Sequence, residues 1–157
     1  MSVFGSVVTF TYLSTSDIDI TVNCRTSDVR RVSHLIHTQL SEASANSHAP
    51  FAIERVSLIR SEWPVIKCIV GGIGVDLSFN ASTDRASYWL IHNLDTAISP
   101  PALFRSTLVL TKAWLSFDAH LLGGMTNMLS SSAVRCIACG TFLANPWLRH
   151  PLQTLLA

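Results

Sequence analysis

Apolar and polar residues alternate in the first third of the chain as they do in a half-buried β-strand. Residues 17–22 read DIDITV, a β-branched and alternating stretch that predicts a strand with one apolar and one polar face. Two further strands are predicted at residues 64–70 and 75–79, on either side of a glycine-rich turn at residues 71–74.

A helical period replaces this alternation in four other stretches. Ser27 is predicted to cap the first helix, which is followed by a polar loop at residues 42–50. The apolar stripe of this helix consists of Val29, Val32, Leu35, Ile36 and Leu40. The other predicted helices span residues 83–98, 102–117 and about 127–139.

This order of elements predicts an α+β fold in two domains. A mixed β-sheet flanked by helices is expected over residues 1–98, and an incomplete helical domain over residues 99–157. Apolar residues make up 48% of the chain and charged residues 13%, which is enough apolar material for a buried core.

The charge and the cysteine content limit the possible partners and location. Eleven Lys and Arg residues against ten Asp and Glu give a formal net charge of +1, which argues against nucleic-acid binding through a large basic face. The sequence has no secretory signal and no apolar run long enough for a membrane span, so no membrane partner is expected. Four scattered cysteines do not make a disulfide framework, and we expect an intracellular protein.

The acidic residues of the predicted strands are the main candidates for chemistry. Asp17 and Asp19 lie two residues apart, so their carboxylates project from the same face of the strand. An isolated pair of this kind is more often two solvated acids. Gly5 and Ser6 add a small-residue turn that can hold phosphate oxygens, and Asp76 adds a third acid within a half-buried strand.

If the two strands are neighbours, three carboxylates converge and repel one another. Two Mg²⁺ or Mn²⁺ ions, which prefer oxygen ligands, would compensate this charge. A pair of such ions activates an attacking hydroxyl and stabilises a triphosphate and its leaving pyrophosphate. The pattern therefore predicts nucleotidyl transfer, with Asp17, Asp19 and Asp76 as catalytic metal ligands.

Three segments resemble a known family. The segment GSVVTFTYLSTSDIDI at residues 5–20 resembles the nucleotidyltransferase signature of the noncanonical poly(A) polymerases and terminal uridylyltransferases, of the DNA polymerase beta-like superfamily. The segments WPVIK at residues 63–67 and VDLSFN at residues 75–80 look like the strand pair that carries the third aspartate of that family. The resemblance covers roughly residues 3–80 and implies a nucleotidyltransferase palm.

The resemblance also implies roles for individual residues. Asp17, Asp19 and Asp76 would be the catalytic metal ligands, and the nucleotide would contact Gly5, Ser6, Asn80 and Lys112. Lys112 lies in LVLTKAWL at residues 108–115, which is similar to the helix in which the family places a triphosphate-contacting lysine. The alternative for Lys112 is a surface lysine whose alkyl chain covers an amphipathic helix.

The implied reaction is the addition of AMP from ATP to the 3′-hydroxyl of an RNA. The alternatives are a terminal uridylyltransferase, a catalytically inactive homologue that acts as a binding or scaffold module, and a nucleotidyltransferase that modifies a protein or small molecule. The expected partners are the NTP, the RNA 3′ end and, because the net charge is small, an RNA-binding protein. The expected location is the nucleus or the cytoplasm.

The chain departs from the family at several positions. Phe10 and Ser14 stand where the family usually has Gly and Pro. After the Gly123-Gly124 turn, the pair of residues 127–128 is Asn-Met where the family commonly has Ser-Tyr, with the aromatic ring stacked on the base. Loss of that ring removes a contact worth ~1–3 kcal/mol. These departures and the length of the chain suggest a truncated or diverged member.

Other residues carry weaker signals. The four tryptophans and the pair Cys136 and Cys139 are predicted to lie in the core. His34 and His37 are predicted to be partly exposed. Three arginines lie near the start of the first helix: Arg25, Arg30 and Arg31. They either contact a phosphate backbone or are simply solvated.

Overall fold

The structure is a computed structural model. It describes residues 1–46, 50–81, 83–98, 100–123, 128–145 and 147. The chain divides into two compact units, the first formed by Met1–Val8 with Ser14–Ser87 and the second by Thr9–Leu13 with Tyr88–Ala157. The predicted domains, residues 1–98 and 99–157, divide the chain differently and stay a prediction.

The first unit contains a five-stranded mixed sheet in the order β1-β2-β5-β4-β3. The strands are β1 (Ser2–Phe4), β2 (Ile18–Val22), β3 (Ile53–Ile59), β4 (Val65–Val70) and β5 (Ile73–Phe79). The β2–β5 pair is parallel, and the other three pairs are antiparallel. The mixed sheet was predicted, but its two edge strands, β1 and β3, were not.

The described residues form five α-helices, of which only α3 begins where it was predicted to begin. They are α1 (Gly5–Val8), α2 (Val29–Ala45), α3 (Thr83–Ala97), α4 (Leu103–Ala113) and α5 (Ser131–Ala144). A 3₁₀ turn at Thr26–Asp28 precedes α2, so Ser27 is not its cap. A π-helical turn at Trp114–Asp118 follows α4. None of the helices within the described residues is both long and apolar enough to cross a membrane.

Helix α2 packs on one face of the sheet, and the opposite face is the one that carries the polar residues. The buried residues of this core are Val22, Val29, Ile66, Leu77 and Phe79. Because side chains alternate along a strand, the residues between them face away from α2. Leu35, which was predicted to join the core, is 55% exposed, whereas Ser33 on the packed side of α2 is buried.

A two-residue turn joins β4 and β5 and fixes their register. Gly71 and Gly72 both have positive φ values, 57° and 83°, as both central residues of a type I′ turn do. Val70 pairs with Ile73, and the pairing continues without a shift to Lys67 opposite Asp76. A lysine and an aspartate thus lie side by side on the face away from α2.

The second unit has its own helical core. Its buried residues are Ile91, Leu103, Phe104, Leu108, Ala138 and Phe142. The rings of Phe104 and Phe142 meet edge to face, with their centroids 5.5 Å apart. An Arg105–Asp95 ion pair with an N–O distance of 2.9 Å joins α4 to α3.

The short N-terminal segment of the second unit, Thr9–Leu13, contains a strained residue. Phe10 has a φ of 54°, in the left-handed region, which costs a residue with a Cβ about 1–2 kcal/mol. The Arg105 guanidinium lies 5.6 Å from the centre of the Phe10 ring and offsets part of this cost. This conformation is a physical reason for the glycine that the resembled family usually has at this position.

The prediction that the tryptophans and both late cysteines lie in the core was wrong. The exposed fractions of Trp63, Trp89, Trp114 and Trp147 lie between 46% and 68%. Trp89 is two residues from the buried Ile91, and this spacing puts the two side chains on opposite sides of α3. Cys136 is exposed, and only Cys139 packs against the helical core.

We expect Phe104→Ala to lower the free energy of unfolding by about 3–5 kcal/mol, because Phe104 is fully buried and its removal leaves a cavity. Leu143→Ala is the matched control, since Leu143 is 71% exposed and its truncation should change stability by less than about 0.5 kcal/mol. Chemical denaturation of both variants measures the difference, and equal effects would contradict this assignment of the core.

Candidate active site

Asp19 and Asp76 are direct neighbours across the parallel β2–β5 pair. Their Cα atoms are register partners, and both side chains project from the sheet face away from α2. Asp17 lies two residues before Asp19, and Gly74 lies two residues before Asp76. The Asp17 carboxylate packs against Gly74, so all three acids are on the same face.

Two glycines make room for these carboxylates. A Cβ on Gly5 would overlap the carboxylate of Asp19, and a Cβ on Gly74 would overlap that of Asp17. Gly5 also has a φ of 70°, where a side chain is strained in any case. Gly5 is the first residue of α1 and Ser6 is the second, so the predicted small-residue turn lies beside Asp19. Sequence analysis did not identify Gly74.

Lys67 was also missed, and it is the charged partner of Asp76. The Lys67 Nζ forms an ion pair with the Asp76 carboxylate across the β4–β5 ladder. The two side chains are 32% and 23% exposed, so the pair contributes at most about 1 kcal/mol to stability. The signal was present in the sequence, because a two-residue turn at Gly71-Gly72 places residues 67 and 76 opposite each other.

The buried thiol behind this ion pair is affected by the same acid. Cys68 follows Lys67 on β4 and faces the core, and its Sγ lies 3.8 Å from the Val75 carbonyl oxygen. Burial raises the pKa of the Cys68 thiol, and the negative charge of Asp76 raises this pKa further. We therefore expect Cys68 to stay protonated and unreactive at neutral pH.

The three aspartates fit a divalent cation in ligand type, because carboxylate oxygens are the ligands that Mg²⁺ and Mn²⁺ prefer. The room that Gly5 leaves for the Asp19 carboxylate and the adjacency of Asp19 and Asp76 are consistent with this. However, within the described residues no three His, Cys, Asp or Glu side chains lie close enough to share one ion. Asp76 is paired instead with Lys67.

We expect Lys67→Met to bind Mn²⁺ up to about five times more tightly than the wild type, because the lysine ammonium competes with the ion for Asp76. Lys67→Arg retains the positive charge and is the matched control, with an affinity close to that of the wild type. Isothermal titration calorimetry measures both affinities. Weaker binding by the methionine variant would show that Lys67 supports the ion instead of competing with it.

The other predicted nucleotide-binding residues have local partners. The Asn80 Oδ1 accepts a hydrogen bond of 2.8 Å from the Cys24 backbone N–H, which ties the end of β5 to the segment after β2. Lys112 is buried on α4 in the second unit, and its Nζ donates a hydrogen bond of 2.7 Å to the Thr11 carbonyl oxygen. The alternative of a surface lysine was therefore wrong. The roles of Asn80, Ser6 and Lys112 in nucleotide binding stay predictions.

The predicted Gly-Gly turn is only partly covered by the structure. Residues 124–127, which include the second glycine and Asn127, lie outside the described residues. Met128, at the position of the family aromatic, is 45% exposed.

Sequence comparison identifies the family. Residues 1–87 match the sequence model of the central palm domain of the mitochondrial-like poly(A) RNA polymerases, over more than half of the chain. The chain belongs to this family. The match includes Asp17, Asp19 and Asp76 and confirms the resemblance seen in the sequence. No curated protein matches the chain in sequence.

Solved structures show the same fold. The polymerase core of TRAMP, an RNA surveillance complex, has a TM-score of 0.70 and 22% identity over 90% of this chain and 42% of its own. A cytoplasmic RNA terminal U-transferase has a TM-score of 0.65 and 19% identity over 90% of this chain and 40% of its own. The MgGTP-bound Cid1 poly(U) polymerase has a TM-score of 0.68 and 17% identity over 87% of this chain and 41% of its own.

The family match and the shared fold together confirm the predicted nucleotidyltransferase palm. The chain spans about two fifths of the length of the solved chains that it matches.

Proposed function

We propose that this protein transfers AMP from ATP to the 3′-hydroxyl of an RNA. The observation that carries the proposal is the register of Asp19 and Asp76, which puts two carboxylates side by side on the polar face of a poly(A) polymerase-type palm. Asp17 lies on the same face, next to Gly74. In the reaction the 3′-oxygen forms a bond to the α-phosphorus, and the bond from that phosphorus to pyrophosphate breaks.

Asp17, Asp19 and Asp76 are the residues that would hold the divalent cations. Two such ions, Mg²⁺ or Mn²⁺, would lower the pKa of the attacking hydroxyl and neutralise charge on the triphosphate. Gly5 keeps the space beside Asp19 open, because it has no side chain there. Lys67 holds the Asp76 carboxylate on this face before an ion binds.

Nucleotide binding is assigned to the remaining predicted residues. The Ser6 hydroxyl and the Lys112 ammonium would contact phosphate oxygens, since both groups donate hydrogen bonds to anions. Asn80 lies at the end of β5, where its backbone has a φ of 53° and its side chain fixes the local chain. An RNA-binding partner protein and a nuclear or cytoplasmic location stay predictions.

ATP is the proposed donor because the matching family is one of poly(A) RNA polymerases. The solved structures with the same fold include a terminal U-transferase and a poly(U) polymerase, and this favours UTP as the second candidate. The donor is therefore an explicit outcome of the test.

The test is extension of a 5′-labelled RNA with Mg²⁺ or Mn²⁺ and each NTP in turn. We expect products with ATP, and none from the Asp76→Asn variant. If products form with UTP alone, the donor is UTP and not ATP. If only protein or small-molecule acceptors are labelled, the acceptor is not RNA. Absence of product with every donor and acceptor would contradict the enzymatic function and favour a binding or scaffold module.

A further inference from the structure

A second polar cleft lies in the first unit, away from the three aspartates. It has a volume of about 340 Å³ and is lined by Arg30, His34, Arg60 and Ser61. Arg30 and His34 are one helical turn apart on α2 and therefore lie on one face of it. Arg60 and Ser61 belong to the connection between β3 and β4. This volume is at the lower end of the range for ligand sites.

The charge of this cleft is positive and uncompensated. Among the residues that the structure describes, its lining includes two guanidinium groups and no carboxylate. Within the part of the chain that the structure describes, neither Arg30 nor Arg60 takes part in an ion pair. Because the formal net charge of the whole chain is only +1, two unpaired arginines in one cleft form a local concentration of charge. Arginine binds phosphate with two parallel hydrogen bonds, and histidine and serine can add further donors.

The cleft lies beyond one end of the sheet, at a distance from the proposed reaction centre. Strands β2, β3 and β5 run in the same direction, so α2 and Arg60, which follow β2 and β3, lie at the same end. Asp19 is three residues before the end of β2, and β3 is three strands away from β2. Within the plane of the sheet, ~3.3 Å per residue and ~4.8 Å per strand give a separation of at least about 17 Å. The cleft also lies on the α2 side of the sheet, whereas the aspartates face away from α2.

We propose that this cleft binds the phosphate backbone of the RNA acceptor a few nucleotides upstream of its 3′ end. That the ligand is RNA rests on the proposed function. That the ligand carries phosphate rests on the residues of the cleft itself. The separation is too large for the reacting nucleotide and suits an upstream phosphodiester. A free nucleoside triphosphate has the same phosphate chemistry and is the competing source.

The first experiment measures RNA binding by fluorescence anisotropy, with an oligoribonucleotide of about 15 nucleotides. Arg30→Ala/Arg60→Ala should weaken binding about tenfold and reduce the slope of log K against log salt by about 0.7–1.4, which corresponds to one or two phosphates. Arg55→Ala/Arg135→Ala removes the same charge from positions outside the cleft and is the matched control. Equal losses in both double variants would overturn the proposal.

The second experiment separates the two phosphate sources. In primer extension, the cleft variant should raise KM for the long RNA and leave KM for ATP and for a trinucleotide acceptor unchanged. A raised KM for ATP alone would overturn the assignment to RNA. If RNA binding depends on the cleft but no nucleotide is transferred, the proposed enzymatic function is wrong. The proposal that the cleft binds RNA is then still supported. Circular dichroism checks folding, and Arg60→Gln alone replaces the double variant if that variant unfolds.

Discussion

Asp19→Asn should reduce nucleotidyl transfer by at least about three orders of magnitude without unfolding the protein. Asp19 is the acid that has Asp76 as its register partner and Gly5 against its carboxylate, so it lies at the centre of the proposed site. An amide is similar in shape but has no negative charge, and loss of a metal ligand costs several kcal/mol of transition-state stabilisation. Single-turnover extension of a labelled RNA measures the rate.

The matched control is Asp118→Asn. Asp118 is exposed at the end of the π-helical turn after α4, so the same chemical change there should leave the rate as in the wild type. An Asp19→Asn rate within about tenfold of the wild type would show that this carboxylate does not hold a catalytic ion.

Gly5→Ala should lower kcat by about 100-fold, because the added methyl group overlaps the Asp19 carboxylate and displaces it. A displacement of about 1 Å at a reacting centre has a cost of this size. The positive φ of Gly5 adds about 1–2 kcal/mol of backbone strain, so the free energy of unfolding should fall as well. Steady-state kinetics and chemical denaturation measure the two effects.

Gly72→Ala separates the two causes. Gly72 also has a positive φ, but a Cβ there would have no neighbour within 4 Å. This variant should therefore lose about 1–2 kcal/mol of stability and keep the wild-type kcat. If both alanine variants reduce kcat to the same degree, strain and not the position of Asp19 is responsible.

The polar face of the site could be predicted because its strands follow the simplest rule of side-chain alternation. DIDITV places Asp19 on the face opposite Ile20 and Val22, as the structure has it. That β2 and β5 are parallel neighbours is a long-range property, which no local pattern specifies. The sequence analysis left this pairing as a condition, and the structure shows it residue by residue.

Strand β3 was missed because its alternation is interrupted. Its register against β4 shifts between Glu54 and Ser57, and Arg55 has a φ of 53°. Such a bulge moves the following side chains to the other face and hides the strand pattern. The basic cleft was not predicted from the sequence for a related reason. Arg60 follows this strand, and only the folded chain brings it close to Arg30.

Asp17, Asp19 and Asp76 are proposed to hold divalent cations for nucleotidyl transfer. Anomalous diffraction from crystals grown with Mn²⁺ and a non-hydrolysable ATP analogue locates such ions. We expect manganese peaks within bonding distance of the Asp19 and Asp76 carboxylates, with the Lys67 ammonium moved away from Asp76. Manganese bound elsewhere, with the Lys67–Asp76 ion pair intact beside the bound nucleotide, would contradict the proposal.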